Sequence, residues 1–203
     1  MKRKCLVLLI AAAIMLLCQN FAFANTYTFS PSPSDLYDLV HQEFYTWGID
    51  WYVPSGETIT SATLTYQQMW DHLWGEDDSL YTHLLDSAYV APGAGTYTGT
   101  VTVGTDNEGG GDNFSTQGLL LGVWHDPYGD SNHKVNLTYS IPAANFAWLS
   151  DGNFGFGIDP DCHYYNDGIY FTIETSTIPE PATLSLLGLG LLGLAGIKRK
   201  KLK

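Results

Sequence analysis

The sequence predicts an all-β ectodomain, a single antiparallel β-sandwich of jelly-roll or Greek-key type, and three observations carry that expectation. Apolar and polar residues alternate with period two in short stretches through the middle of the chain, the spacing that sends successive side chains to opposite faces of a strand. Gly, Pro, Asn and Asp separate these stretches, and they are the residues of turns. Helical periodicity is nearly absent from the same region. About eight short strands bounded in this way argue for two packed sheets, with a barrel as the alternative.

The expected strands are, in order, Phe44 to Val53, Thr58 to Tyr66, Leu80 to Asp86, Thr96 to Val103, Gly118 to Trp124, Lys134 to Ile141, Phe154 to Ile158 and Ile169 to Thr175. Ala62, Leu64 and Tyr66 share one face of the second; Val135, Leu137, Tyr139 and Ile141 share one face of the sixth. Ile169, Phe171 and Ile173 do the same in the last, and these faces are expected to meet in a common core. No repeat and no long linker divides the region, so one domain, 25–176, is expected.

The two ends read differently. Lys2, Arg3 and Lys4 precede an apolar run from Cys5 to Cys18, and Ala22-Phe23-Ala24 supplies a small-x-small site. That is a signal peptide, 1–24, cut by signal peptidase between Ala24 and Asn25. The run is shorter than the ~20 residues that span a bilayer, and Leu16-Leu17 before Cys18 does not suit a lipoprotein signal. At the other end, Ala182 to Ile197 is apolar on all faces and is followed by Lys198, Arg199, Lys200, Lys201 and Lys203. A helix there rises ~1.5 Å per residue, which gives a short transmembrane segment of roughly 24 Å. The positive-inside rule leaves its basic end in the cytoplasm and the ectodomain outside.

Pro179-Glu180-Pro181 stands directly before that segment. The tripeptide, the Leu/Gly-rich stretch and the basic cluster, in this order within 177–203, resemble the tripartite PEP-CTERM signal. The resemblance implies processing by a membrane-embedded exosortase near the tripeptide, in a bacterium that makes extracellular polysaccharide, and a final place at the cell surface or outside the cell. The two prolines fit such a site because they hold the chain extended. Three segments of the ectodomain, Tyr45 to Trp51, Gly56 to Leu64 and Gly157 to Gly168, are also similar to other small β-sandwich exoproteins with this kind of tail.

Of the 21 acids only Glu180 lies outside 25–178, and of the nine Lys and Arg only Lys134 lies inside it. A domain so acidic repels phosphate, which excludes nucleic acid as a partner, and attracts divalent cations. Cys162 is the one cysteine left after signal removal, so no disulfide forms within the domain and a buried thiol is expected.

The loop Asp159 to Gly168 holds the densest set of oxygen ligands. Asp159, Asp161 and Asp167 are the candidate Ca²⁺ ligands, although the loop is no EF-hand: Tyr164 and Tyr170 stand where its glycine and bidentate glutamate belong. The second acidic run, Asp71 to Asp78, is able to add carboxylates. His72 or His163 opens the alternative of a transition metal, and plain solvated turns are the third reading. No Gly-x-Ser-x-Gly and no His-Glu-x-x-His occurs, so no catalytic residue is assigned and an enzyme is not expected. Trp70 and Trp74 sit among polar residues and are the candidate glycan contacts. The functional expectation is a non-enzymatic structural or adhesive surface protein associated with polysaccharide, with a carbohydrate-binding module as the alternative and a secreted hydrolase as the third.

Overall fold

The computed structural model describes residues 23–71, 78–106 and 110–178. The expected signal peptide up to residue 22, His72, Trp74, the tripeptide Pro179-Glu180-Pro181, the apolar stretch 182–197 and the basic end lie outside the described residues. Ala24–Ser176 form one compact unit. Among the described residues no helix is long and apolar enough to cross a membrane.

The described chain forms β1 (Ala24–Phe29), β2 (Glu43–Ile49), β3 (Glu57–Asp71), β4 (Leu80–Leu85) and β5 (Thr100–Thr105). It continues through β6 (Leu119–Trp124), β7 (Val135–Ser140), a short helix (Phe146–Ser150), β8 (Phe154–Pro160), β9 (Tyr164–Tyr165) and β10 (Gly168–Thr177). One sheet has the order β1-β10-β3-β7 with β9 added on β3, and the other has β5-β2-β8-β4-β6. All the registered pairs are antiparallel. The pairing is nested: β1 with β10, β2 with β8, β3 with β7 and β4 with β6, alternating between the sheets. A long hairpin rolled up on itself gives this order, which is the winding of a jelly roll.

The eight expected strands all form, with shifted ends. Thr96 to Gly99 turn instead of extending, because Thr98 and Gly99 donate backbone hydrogen bonds to the Gly95 carbonyl. Two strands were not legible. β9 is two residues long, too short for any periodicity, and β1 lies against the expected cleavage site, where Tyr27 and Phe29 alternate with Thr over only six residues.

The core lies between the sheets. Phe171 of one sheet meets Phe156 of the other edge-on at 4.9 Å, and the Tyr66 hydroxyl hydrogen-bonds the Thr82 hydroxyl across the gap at 3.0 Å. Trp47, Leu64, Phe154 and Ile173 are fully buried among them.

Two irregularities shape the acidic end of the sandwich. From Ala62 onward the buried apolar residues of β3 are Ala62, Leu64 and Tyr66, and then Met69, with Asp71 buried beyond it. The parity switches because the pairing with β7 shifts between Tyr66 and Met69. Gln68, with φ of 52°, forms the bulge, and Asn136 Oδ1 accepts from its backbone N–H at 2.9 Å. A bulge re-aims the side chains beyond it. Here it turns Asp71 inward and leaves Trp70 half-buried. In β8, Phe154, Phe156 and Ile158 enter the core, while Gly157 and Asp159 face the other way under the loop between β5 and β6. A Cβ on Gly157 would lie 2.6 Å from the Phe114 ring, so the absent side chain is what lets the β5–β6 loop cross the sheet.

Candidate functional site

That loop is fastened at three points. His83 Nε2 lies 2.9 Å from Asp112 Oδ2, and its Nδ1–H donates to the Gln117 carbonyl at 3.2 Å. Asp159, fully buried, accepts from the Asn113 backbone N–H at 2.6 Å and from Asn113 Nδ2 at 3.4 Å. Phe114 packs edge-on against Phe44 with centroids 5.6 Å apart.

Beside it, the inward end of β3 meets the start of β4 and the turn between β8 and β9. Asp161 donates its N–H to the Ser79 carbonyl at 2.8 Å, which fixes the turn to β4. The Cys162 thiol, 6 % exposed, donates to Asp71 Oδ1 at 3.1 Å. Asp71 is 2 % exposed, and its backbone N–H is held by Asp126 Oδ2 at 2.8 Å. Asp71 is also the register partner of Tyr164 in the β3–β9 pair. The His125 Nδ1–H donates to the Asp78 carbonyl at 2.9 Å. The ligand atoms of Asp71, Asp78 and Cys162 lie within 4.8 Å of one another.

Burial and like charge shape the electrostatics. Burial pushes the Asp161 carboxyl up to about 6, with repulsion from Asp159, Asp106 and Asp78 adding and the Gly111 backbone N–H opposing. Asp159 is raised for the same first reason, though the Asn113 donors work against it. The Cys162 thiol is pushed well up by burial and then by Asp71 and Asp78, so it stays protonated. Asp78 Oδ2, Asp161 Oδ1 and the Tyr164 hydroxyl are buried and have no hydrogen-bond partner among the described residues.

The structure brings together two of the three expected Ca²⁺ ligands. Asp159 and Asp161 are neighbours, but the Asp159 oxygens serve the Asn113 anchor. Asp167 stands apart: its side chain is 62 % exposed and lies 3.9 Å from Lys134 Nζ. Trp70 stacks on Tyr165 at 4.4 Å, and Tyr165 stacks on His163 at 4.5 Å, so one indole face is covered. Sequence reasoning missed the contribution of Cys162 and the inward turn of Asp71, since the parity of Asp71 depends on a bulge set by Asn136 on another strand.

The chain's remaining functional segment lies directly after β10. A family model for the PEP-CTERM protein-sorting motif matches residues 177–200. The chain carries a PEP-CTERM sorting motif. It includes Pro179, Glu180 and Pro181 and the apolar stretch, reaches into the basic cluster, and begins at the last residue of β10. A PEP-CTERM motif marks an exported protein targeted to an exosortase, with a surface or extracellular destination. A search of curated proteins finds no match to the chain.

Proposed function

We propose that the sandwich is a non-enzymatic structural or adhesive component of the cell surface or extracellular matrix, associated with polysaccharide and released from its membrane tail near Pro179. The observation that carries this reading is the junction itself: Ile178 alone separates the last strand from the tripeptide, so cleavage there frees the folded unit with almost no remnant. The signal peptide directs export, and the segment 182–197 holds the chain in the membrane until the exosortase acts. Intact-mass measurement of the extracellular protein tests the reading. The expected species starts at Asn25 and lacks the residues after the Pro179 region. A cell-free chain that still carries Lys198 to Lys203 would overturn it.

A carbohydrate-binding role is the second reading, and the half-buried stack of His163, Tyr165 and Trp70 favours it. Aromatic faces bind sugar rings through apolar contact. Extracellular polysaccharide is then expected to change the tryptophan fluorescence of the exported protein, with Trp70→Ala weakening the response; an unchanged spectrum at saturating polysaccharide removes this reading and leaves the structural one.

A further inference from the structure

We propose that Cys162, Asp71 and Asp78 bind one divalent cation of the zinc type, which fastens β3, β4 and the β8–β9 turn to one another. The three side chains come from different parts of the chain, and their ligand atoms already lie within 4.8 Å of one another, with sulfur and oxygen of Cys162 and Asp71 at 3.1 Å. Zinc holds sulfur at ~2.3 Å and oxygen at ~2.0–2.2 Å, so in a tetrahedron these ligands stand roughly 3.5 Å apart. Small side-chain adjustments are enough to reach that geometry.

A separate observation points to a ligand in this place. Tyr164 is fully buried, yet its hydroxyl has no hydrogen-bond partner among the described residues. Buried hydroxyls are ordinarily satisfied. Tyr164 stands directly opposite Asp71 in the antiparallel β3–β9 pair, and opposed residues of such a pair project to the same face, which puts the phenol on the side of the sheet that Asp71 occupies. A water or carboxylate oxygen on the cation gives this hydroxyl its acceptor, and metal ligands are ordinarily held by such outer hydrogen bonds. Asp161, the residue before Cys162, has a buried Oδ1 without a hydrogen-bond partner among the described residues.

The donor set selects the ion. Calcium and magnesium take oxygen ligands, whereas a thiolate favours zinc and the softer transition metals. The thiol is protonated without metal, so binding exchanges the S–H bond for an S–metal bond and releases one proton to water. No electron moves, because zinc has no redox chemistry.

The test uses the exported protein purified from the producing cells, stripped with chelator and titrated with Zn²⁺ and with Co²⁺ as a spectroscopic stand-in. The expected result is one equivalent per chain, a thiolate-to-cobalt charge-transfer band in the near ultraviolet, and no displacement by excess Ca²⁺. Cys162→Ser is expected to abolish the band, and Asp78→Asn to weaken Zn²⁺ binding by about tenfold or more, while Asp167→Asn leaves it unchanged. Stoichiometric binding without the band, displacement by equimolar Ca²⁺, or no binding at all would each overturn the proposal. Should Cys162→Ser fail to fold, the wild-type cobalt spectrum still decides, since the band reports sulfur ligation directly.

Discussion

Glu57 holds three strands with one carboxylate. It begins β3 and accepts from Asn25 Nδ2 at 2.7 Å and from the Tyr27 hydroxyl at 3.2 Å on β1, and from the Thr175 hydroxyl on β10. These donors, Thr175 first, hold its carboxyl below the ordinary glutamate value despite some desolvation. A group lowered on folding binds fewer protons in the native state, so its stabilisation is full above the unfolded pKa and is lost as pH falls through the folded one. Glu57→Gln is therefore expected to melt below wild type at pH 7, with the gap closing in acid. Thermal melts at the two pH values check this, and a gap that widens in acid contradicts it. Other residues were partly legible from sequence. The burial of Cys162 was legible because it has no partner cysteine. The neighbours of Asp161 were not, because they include Asp78 and Ser79 just before β4 and Asp106 and Gly111 from the loop after β5.

At the scale of elements, β8 shows why a central strand tolerates so little. Gly155 sits opposite Gly48 of β2, and a Cβ on Gly155 would lie 2.6 Å from the Trp47 carbonyl oxygen. That oxygen belongs to backbone and has little freedom to move. Gly155→Ala is expected to lower stability by about 1–3 kcal/mol, the usual cost of overpacking, visible as an earlier midpoint in urea at unchanged slope. An unchanged midpoint would mean that β2 and β8 separate easily. The alternation of apolar and polar residues made the strands readable, since each half-buried strand writes its own period into the sequence. The β3 bulge left no such mark: Gln67 and Gln68 look like any exposed pair. Its position is fixed by the Asn136 side chain on β7, a partner that no local window contains.

At the scale of the whole molecule, the jelly-roll winding makes β10 indispensable, because it lies between β1 and β3. A chain ending before Gly168 loses Phe171 and Ile173, both fully buried, and leaves β1 without its partner. Such a chain is expected to be cleaved rapidly by a nonspecific protease under conditions in which the exported protein resists. Equal resistance would show that the remaining strands close without it. The fold class was legible at this scale from strand number and turn composition. The nesting of the pairs was not, because it joins strands far apart in the chain that no local pattern links.

The meeting of the two ends also has a timetable. Asn25, the first residue expected after signal cleavage, pairs with Thr175 near the far end of the chain in the β1–β10 register. At a synthesis rate of ~5–20 residues per second, the interval between their emergence is on the order of 10 s. Sandwiches of this kind fold in roughly milliseconds to seconds once their strands are present. Chain arrival, then, sets the pace: β1 stays an unpaired edge until β10 has followed it. The domain is complete only when the residue that opens the sorting motif has arrived, since Thr177 both ends β10 and begins that motif.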